Sequence, residues 1–322
     1  MKILFADKFP APYLKQIQEM GHVCTLNPDL AAGDLPASIN DFETLVVRST
    51  KVTADTIDAA KSLRLIIRAG AGTNTIDKQA AAERDIYVCN VPGKNAIAVA
   101  ELTLGLLISI DRNIPDNVAD LRNGEWNKKR YSDTVGLFGR SIGIVGLGAI
   151  GIAVAERARA FGLKIYVIRR SNRASEMESR LAGLGVRYAN DLNELADNCD
   201  ILSFHVPAAD DTKGVIGREL LARLRPGAII INTSRGDLVD EQALIEAMND
   251  KGIRAGLDVY ADEPGSGQAK FDSALARHPN VYGTHHIGAS TAQAQNAVAE
   301  GVVEIIEALS DGRVLHCVNM KT

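Results

Sequence analysis

The run Ser141-Ile142-Gly143-Ile144-Val145, followed at once by Gly146-Leu147-Gly148-Ala149-Ile150-Gly151, constrains this chain more than any other stretch. A short β-branched apolar run reads as a buried strand, and G-x-G-x-x-G at its end reads as a turn into a helix. Each glycine has its own task in such a unit. The first permits the tight turn, the second lets the backbone approach a pyrophosphate, and the third lets the helix pack close to the strand. The free N–H groups at the helix start favour an anion. Gly146, Gly148, Ala149, Ile150 and Gly151 are therefore candidates for holding a dinucleotide.

The rest of the chain repeats the same alternation. Strand-like runs fall at 2–6, 44–48, 65–68, 86–89, 164–169, 201–205, 228–233 and 256–260. Helical spacing is found over 12–20, 53–61 (capped by Thr53), 77–84, 96–110, 240–250 and 291–310. Such alternation predicts an α/β fold with parallel sheets covered by helices, doubly wound in the Rossmann or flavodoxin manner. A chain of 322 residues has room for two such domains. Its net charge of −4 carries no basic excess, so no nucleic-acid partner is expected. The apolar stretch Ala96 to Ile110 contains Glu101 and falls short of the ~20 residues of a membrane span. The apolar run at the N-terminus is too short for a secretion signal. Cys24, Cys89, Cys199 and Cys317 lack ligand-like spacing and read as thiols in a reducing compartment, so a cytoplasmic protein without a metal centre is expected.

The second strand after the glycine loop bears on the coenzyme. Domains that bind NAD usually set an acidic residue about 20 residues on, to hold the ribose 2′-hydroxyl. Here that place is taken by Arg169-Arg170-Ser171, with Arg173 just beyond. Guanidinium groups and a hydroxyl attract a 2′-phosphate, which an aspartate would repel. The expectation is NADP(H) preferred over NAD(H).

Three later segments carry the chemistry: Asn-Thr-Ser-Arg-Gly-Asp at 232–237, Leu-Asp-Val-Tyr-Ala-Asp-Glu-Pro at 257–264 and His-His-Ile-Gly-Ala-Ser-Thr at 285–291. Hydride transfer at the C2 carbon of an acid needs a proton carrier for the C2 oxygen and a cation for the carboxylate. Histidine suits the first task, because its unperturbed pKa lies near neutrality. His286 is the candidate, with Glu263 fixing its tautomer and Arg235 holding the carboxylate and polarising the carbonyl. The order of glycine loop, Arg235, Glu263 and His286 resembles the D-isomer-specific 2-hydroxyacid dehydrogenase family over nearly the whole chain.

That resemblance implies further roles. It places Val206, Pro207, Thr233, Ser234, Asp258 and Gly288 around the coenzyme, with Asp258 near the nicotinamide carboxamide. It also implies a dinucleotide domain (99–290) inserted into a substrate domain formed by 1–98 and 291–322. On the substrate side, the small residues from Arg68 to Asn74 could form a nest of N–H groups for a carboxylate, with Ala71 and Gly72 at its centre. The family commonly carries threonine where Ala71 stands. Arg48, and Arg130 in the basic cluster after Trp126, resemble residues that neutralise a substrate phosphate. The first expectation is the pair 3-phospho-D-glycerate and 3-phosphohydroxypyruvate, and the second is a hydroxypyruvate or glyoxylate reductase. A dinucleotide-sensing corepressor of the same fold is a remote third. With the sequence ending at Thr322, feedback through the C-terminal extension of some relatives is not expected. A homodimer is expected through the apolar stretch Ala96 to Ile110, although burial between the chain's own two domains would explain the same pattern.

Overall fold

The computed structural model describes residues 1–264 and 268–320. Strands that are apolar on both faces dictate its architecture, because such strands must be covered by helices on each side. The chain separates into two compact units, one formed by Met1–Ala96 with the chain from Ala289 onward, the other by Ile97–Gly288.

The first unit holds β1 (Lys2–Phe5), β2 (Val23–Leu26), β3 (Thr44–Val47), β4 (Leu65–Arg68) and β5 (Tyr87–Asn90). They lie in the order β2-β1-β3-β4-β5, and every pairing is parallel. This is the flavodoxin-like order, with its switch point between β1 and β3. Side chains alternate cleanly across the sheet. Leu4, Leu45, Val47, Ile66 and Val88 enter one core, and Ile3, Phe5, Val46, Leu65 and Ile67 the other. The second core is closed by Ile17 and by Val302, Val303, Ile305 and Ile306 of the helix Ala292–Ser310. Thr291 caps that helix, its hydroxyl accepting from the Ala294 N–H at 3.1 Å. Thr53 stands at the N-cap of helix Ala54–Ala59 without a side-chain hydrogen bond. The edge strand β2 has no apolar run to announce it, since Val23 and Leu26 face outward.

The second unit holds β6 (Ser141–Val145), β7 (Lys164–Ile168), β8 (Arg187–Ala189), β9 (Ile201–Phe204), β10 (Ile229–Asn232), β11 (Arg254–Leu257) and β12 (Val281–Gly283). Their order is β12-β11-β10-β9-β6-β7-β8, again all parallel. This is the dinucleotide-binding order extended by a seventh strand, with its reversal between β6 and β9. Ile229 and Ile231 point to one core and Ile230 to the other. The helix Ala96–Arg112 buries Ala100, Leu104, Leu107 and Ile110 against this sheet. Its apolar character is thus accounted for inside its own unit, and the signal taken for a subunit contact is spent there. Gly256 permits the close approach, since a Cβ at that position would lie 3.1 Å from both Ile110 Cδ1 and Leu106 Cβ. Among the described residues no helix is long and apolar enough to cross a membrane.

The helix Ala149–Ala160 is seated by Gly151, where a Cβ would lie 1.9 Å from the Gly146 carbonyl oxygen. Gly151→Ala is therefore expected to cost about 1–3 kcal/mol of stability, as overpacking does. Urea denaturation measures this, and an unchanged midpoint would mean that the close packing is not a constraint.

Candidate active site

The glycine loop leaves β6 at the point where the strand order reverses. Gly146 has φ +96°, and a Cβ there would meet the His205 carbonyl oxygen at 2.6 Å and Val206 Cγ1 at 2.9 Å. Both the backbone conformation and the end of β9 therefore require glycine. Gly148 differs. Its φ is −74°, open to any residue, and a Cβ would meet no protein atom within 4 Å. Nothing in the chain itself demands glycine there, whereas a pyrophosphate lying close against the backbone would. Gly148 is also the N-cap of helix Ala149–Ala160 and supplies no side-chain cap, which leaves the first N–H groups to a ligand. The loop therefore fits a dinucleotide. Val206, just beyond β9, borders it, and Pro207 follows Val206 in the chain, its carbonyl accepting from Thr212 Oγ1 at 2.7 Å. The neighbouring His205 lies 2.8 Å from Ser203 Oγ, and burial pushes its pKa down to about 3. Burial thus favours its neutral ring.

At the end of β7 the three arginines have separate fates. Arg169 lays its guanidinium 4.5 Å above the Tyr188 ring. Arg173 donates to Glu178 at 2.7 Å and to the Ile168 carbonyl at 2.8 Å, so it braces the turn rather than offering its charge to a ligand. Glu178 also accepts from Tyr188 Oη at 2.5 Å. Arg170 and Ser171 are exposed.

The three segments that hold Arg235, Glu263 and His286 follow neighbouring strands. Asn232 is in register with Leu257, and Leu257 with Gly283. The buried Asn232 folds the turn after β10: Oδ1 accepts from Ser234 N (3.1 Å) and Oγ (2.7 Å), while Nδ2 donates to the Arg235 carbonyl at 2.8 Å. Arg235 Nη1 in turn donates to the Ser234 carbonyl at 2.5 Å. A Cβ on Gly236 would lie 2.1 Å from the Tyr260 carbonyl carbon, so the Arg235 turn runs directly against the stretch leading to Glu263.

Glu263 Oε1 lies 2.6 Å from His286 Nδ1. With Nδ1 held by the carboxylate, Nε2 is the nitrogen left to exchange a proton. His285 faces solvent and makes no hydrogen bond of this kind. The His286 backbone is left-handed at φ 51°, and its N–H donates to the Asp258 carbonyl at 2.7 Å. The Asp258 carboxylate, only 1% exposed, secures the same turn: Oδ1 accepts from Thr284 Oγ1 at 2.6 Å and Ile287 N at 2.8 Å, and Oδ2 from Gly288 N at 2.9 Å. The result is an imidazole aimed by a carboxylate, in the same unit as the Arg235 turn, an arrangement suited to moving a proton on or off the oxygen of a bound acid.

In the first unit, Arg48 leaves β3 and the 68–73 loop leaves β4, its register neighbour. Asp7, two residues past the end of β1, organises this edge. Its carboxylate accepts from the backbone N–H of Arg48 (2.6 Å), Ser49 (3.2 Å) and Thr50 (3.2 Å) and from Ser49 Oγ (2.8 Å). Burial pushes its pKa up, but these hydrogen bonds together outweigh burial and hold it below the ordinary carboxyl value. Arg48 Nη2 reaches Ser290 Oγ at 3.3 Å. Asn90 Nδ2 donates to the Ala71 carbonyl at 2.6 Å and so shapes the loop that contains Gly72. Asp7, Asn90 and Asn232 went unmarked in the sequence. Only Asn232, two residues before Ser234 at a strand end, carries a local turn signal.

Arg130 does not join the other candidates of its own unit. It lies in a short 3-10 turn, paired with Asp120 at 3.0 Å, and lines a polar cavity with Asn113, Arg254, Asn280 and Tyr282. Arg254 opens β11 and Asn280 precedes β12. In a parallel sheet this is the edge opposite Asp258 and His286.

Residues 104–288 match the family of the D-isomer specific 2-hydroxyacid dehydrogenase, NAD binding domain. The chain is 41% identical over 323 residues to D-3-phosphoglycerate dehydrogenase of Methanocaldococcus jannaschii, covering 99% of this chain and 60% of the relative. The chain thus spans about three-fifths of that longer protein. It is 42% identical over 279 residues to hydroxypyruvate reductase of Thermotoga maritima, covering 86% and 88% of the two chains. Among solved structures, the NADPH-dependent glyoxylate/hydroxypyruvate reductase of Sinorhizobium meliloti, in complex with NADP and malonate, superposes with a TM-score of 0.82 at 31% identity, covering 98% and 96%.

Two outcomes are expected from this geometry. Gly148→Ala should leave folding stability within ~0.5 kcal/mol of wild type, as a change in open space does. The same variant should weaken dinucleotide binding about tenfold or more; unaltered affinity by titration calorimetry would remove the loop as the pyrophosphate cradle. Asp7 has a depressed pKa in the folded state, so its stabilisation is present above the unfolded carboxyl range and is lost as pH falls through the folded value. Asp7→Asn should therefore lower stability by about 1–2 kcal/mol at pH 7, and the gap to wild type should narrow in acid. A gap independent of pH would exclude the carboxylate as its source.

Proposed function

We propose that this chain, which belongs to the D-isomer-specific 2-hydroxyacid dehydrogenase family, interconverts a D-2-hydroxy acid and its 2-oxo acid with a nicotinamide dinucleotide. The observation that carries the reading is the 2.6 Å contact between Glu263 and His286 Nδ1, in the same unit as Arg235 and the glycine loop. Gly146, Gly148 and the N-terminus of helix Ala149–Ala160 would hold the pyrophosphate. When bound, the coenzyme takes up or returns the hydride at C2. His286 Nε2 accepts the hydroxyl proton in oxidation and donates it in reduction, with Glu263 stabilising the imidazolium. Arg235 pairs with the carboxylate and polarises the C2 oxygen.

The substrate pair we favour is 3-phospho-D-glycerate and 3-phosphohydroxypyruvate. Supporting it are the 41% identity to the M. jannaschii enzyme, Arg48, whose backbone N–H is fixed by Asp7, and the small-residue loop around Ala71 and Gly72. A second reading, reduction of hydroxypyruvate or glyoxylate, is favoured by the pairing of Arg130 with Asp120 and by the T. maritima relative. Preference for NADP(H) is supported by Arg169 and the exposed Arg170 and Ser171 in place of an acidic residue, and by the NADP bound to the S. meliloti relative. A cytoplasmic homodimer fits four free thiols and an apolar surface concentrated in one segment. Ile114, Val118, Leu121, Trp126, Val135 and Phe138 are all exposed there, more than scattered surface residues would supply.

The test is steady-state reduction of 3-phosphohydroxypyruvate, hydroxypyruvate and glyoxylate, each with NADPH and NADH, by wild type and His286→Ala. The expected result is a large preference for the phosphorylated acid and for NADPH, with turnover abolished in the variant. Preference for the smaller acids would establish the second reading, and equal rates with the two coenzymes would dismiss the ribose-site assignment. No turnover by wild type would leave a dinucleotide-sensing binding protein instead.

A further inference from the structure

The helix Ala96–Arg112 and strand β10 meet through a pair of hydroxyls. Thr103, 1% exposed, holds Oγ1 2.9 Å from the Val99 carbonyl oxygen one turn earlier and 3.0 Å from Thr233 Oγ1. A hydroxyl has one proton to give and two lone pairs. A carbonyl only accepts. Both contacts are therefore hydrogen bonds only if Thr103 donates to Val99 and Thr233 donates to Thr103. The Thr233 proton is committed toward the helix, and its oxygen offers a third partner nothing but lone pairs.

Thr233 stands in the row one step beyond the strand ends, level with Asp258 and Thr284. Val99, whose carbonyl ends the hydroxyl chain, comes within 3.3 Å of where a Cβ on Gly288 would lie. Gly288 N–H is itself bound to Asp258 Oδ2. The turn from Val99 to Thr103, Thr233, Asp258 and Gly288 thus enclose one spot, two residues from Arg235 on one side and from His286 on the other. Asp258 Oδ1 already receives two donors, while Oδ2 receives one. Every acceptor capacity left at the spot, on Thr233 Oγ1 and Asp258 Oδ2, calls for a donor. A primary amide nitrogen supplies two N–H groups at once.

We propose that Thr103 is a positioning residue for the coenzyme: by taking the Thr233 proton, it makes Thr233 and Asp258 an acceptor-only pair for the two N–H groups of the nicotinamide carboxamide. The inference rests on the nicotinamide reading given above. It explains what a buried hydroxyl does in the middle of an otherwise apolar helix face, where valine would pack as well.

The experiment is titration calorimetry of wild type, Thr103→Val and Thr103→Ser with the oxidised coenzyme and with its 3-acetylpyridine analogue, in which a methyl group replaces the amide nitrogen. Thr103→Val should weaken binding of the nicotinamide form roughly three- to tenfold, the scale of one hydrogen bond, and leave the analogue unchanged. Thr103→Ser should restore wild-type selectivity. Thr233→Val, which removes the acceptor directly, should reproduce the selective loss should Thr103→Val fail to fold. Equal loss for both ligands, or no loss for either, would overturn the proposal by reducing Thr103 to packing. A wild type that binds neither ligand would overturn the nicotinamide reading with it.

Discussion

A single buried carboxylate holds the candidate site together. Asp258 is almost wholly removed from solvent, and a buried charge is tolerated only when hydrogen bonds surround it. It finds them within one turn, from Thr284, Ile287 and Gly288. The exchange is mutual. The turn satisfies the charge, and the charge holds His286 in a left-handed conformation that costs a non-glycine residue on the order of 1–2 kcal/mol. Without that hold the imidazole would lose its direction toward Glu263. The geometry of the candidate site is therefore set by a residue that need not touch a substrate.

Much of this was legible in the sequence, for reasons particular residues make clear. Central strands such as Ile229–Asn232 are buried on both faces, so their apolar runs stand out. The edge strands Val23–Leu26, Arg187–Ala189 and Val281–Gly283 are partly exposed and short, so no pattern marks them. The expected strand at 256–260 lies earlier, at Arg254–Leu257; Asp258 still donates its backbone N–H to the Asn232 carbonyl at 3.0 Å, while its side chain binds the following turn. Glycine roles could be assigned by spacing because they are local. Asp7 and Arg48 are joined across 41 residues, and Thr103 and Thr233 across 130, and no local pattern records such pairings. Charge was legible but its use was not. Arg169, Arg170 and Arg173 look alike in the sequence, yet one stacks on a tyrosine, one is exposed and one braces a turn. Arg130 likewise read as a substrate ligand and is paired with Asp120 at the far edge of its sheet.

The interrupted construction of the first unit has a consequence for how the chain is made. Its first stretch, Met1–Ala96, carries a face of Ile3, Phe5, Leu65 and Ile67 that is closed by the helix Ala292–Ser310. During synthesis the whole of the second unit is translated between them. At ~5–20 residues per second that interval lasts roughly 10–40 s. Throughout it the nascent N-terminal sheet presents an apolar surface to its surroundings, while the second unit has all of its own chain and can fold at once. The helix Ala292–Ser310, made only after the second unit, is thus the one that ends the first unit's exposure to chaperones and to aggregation.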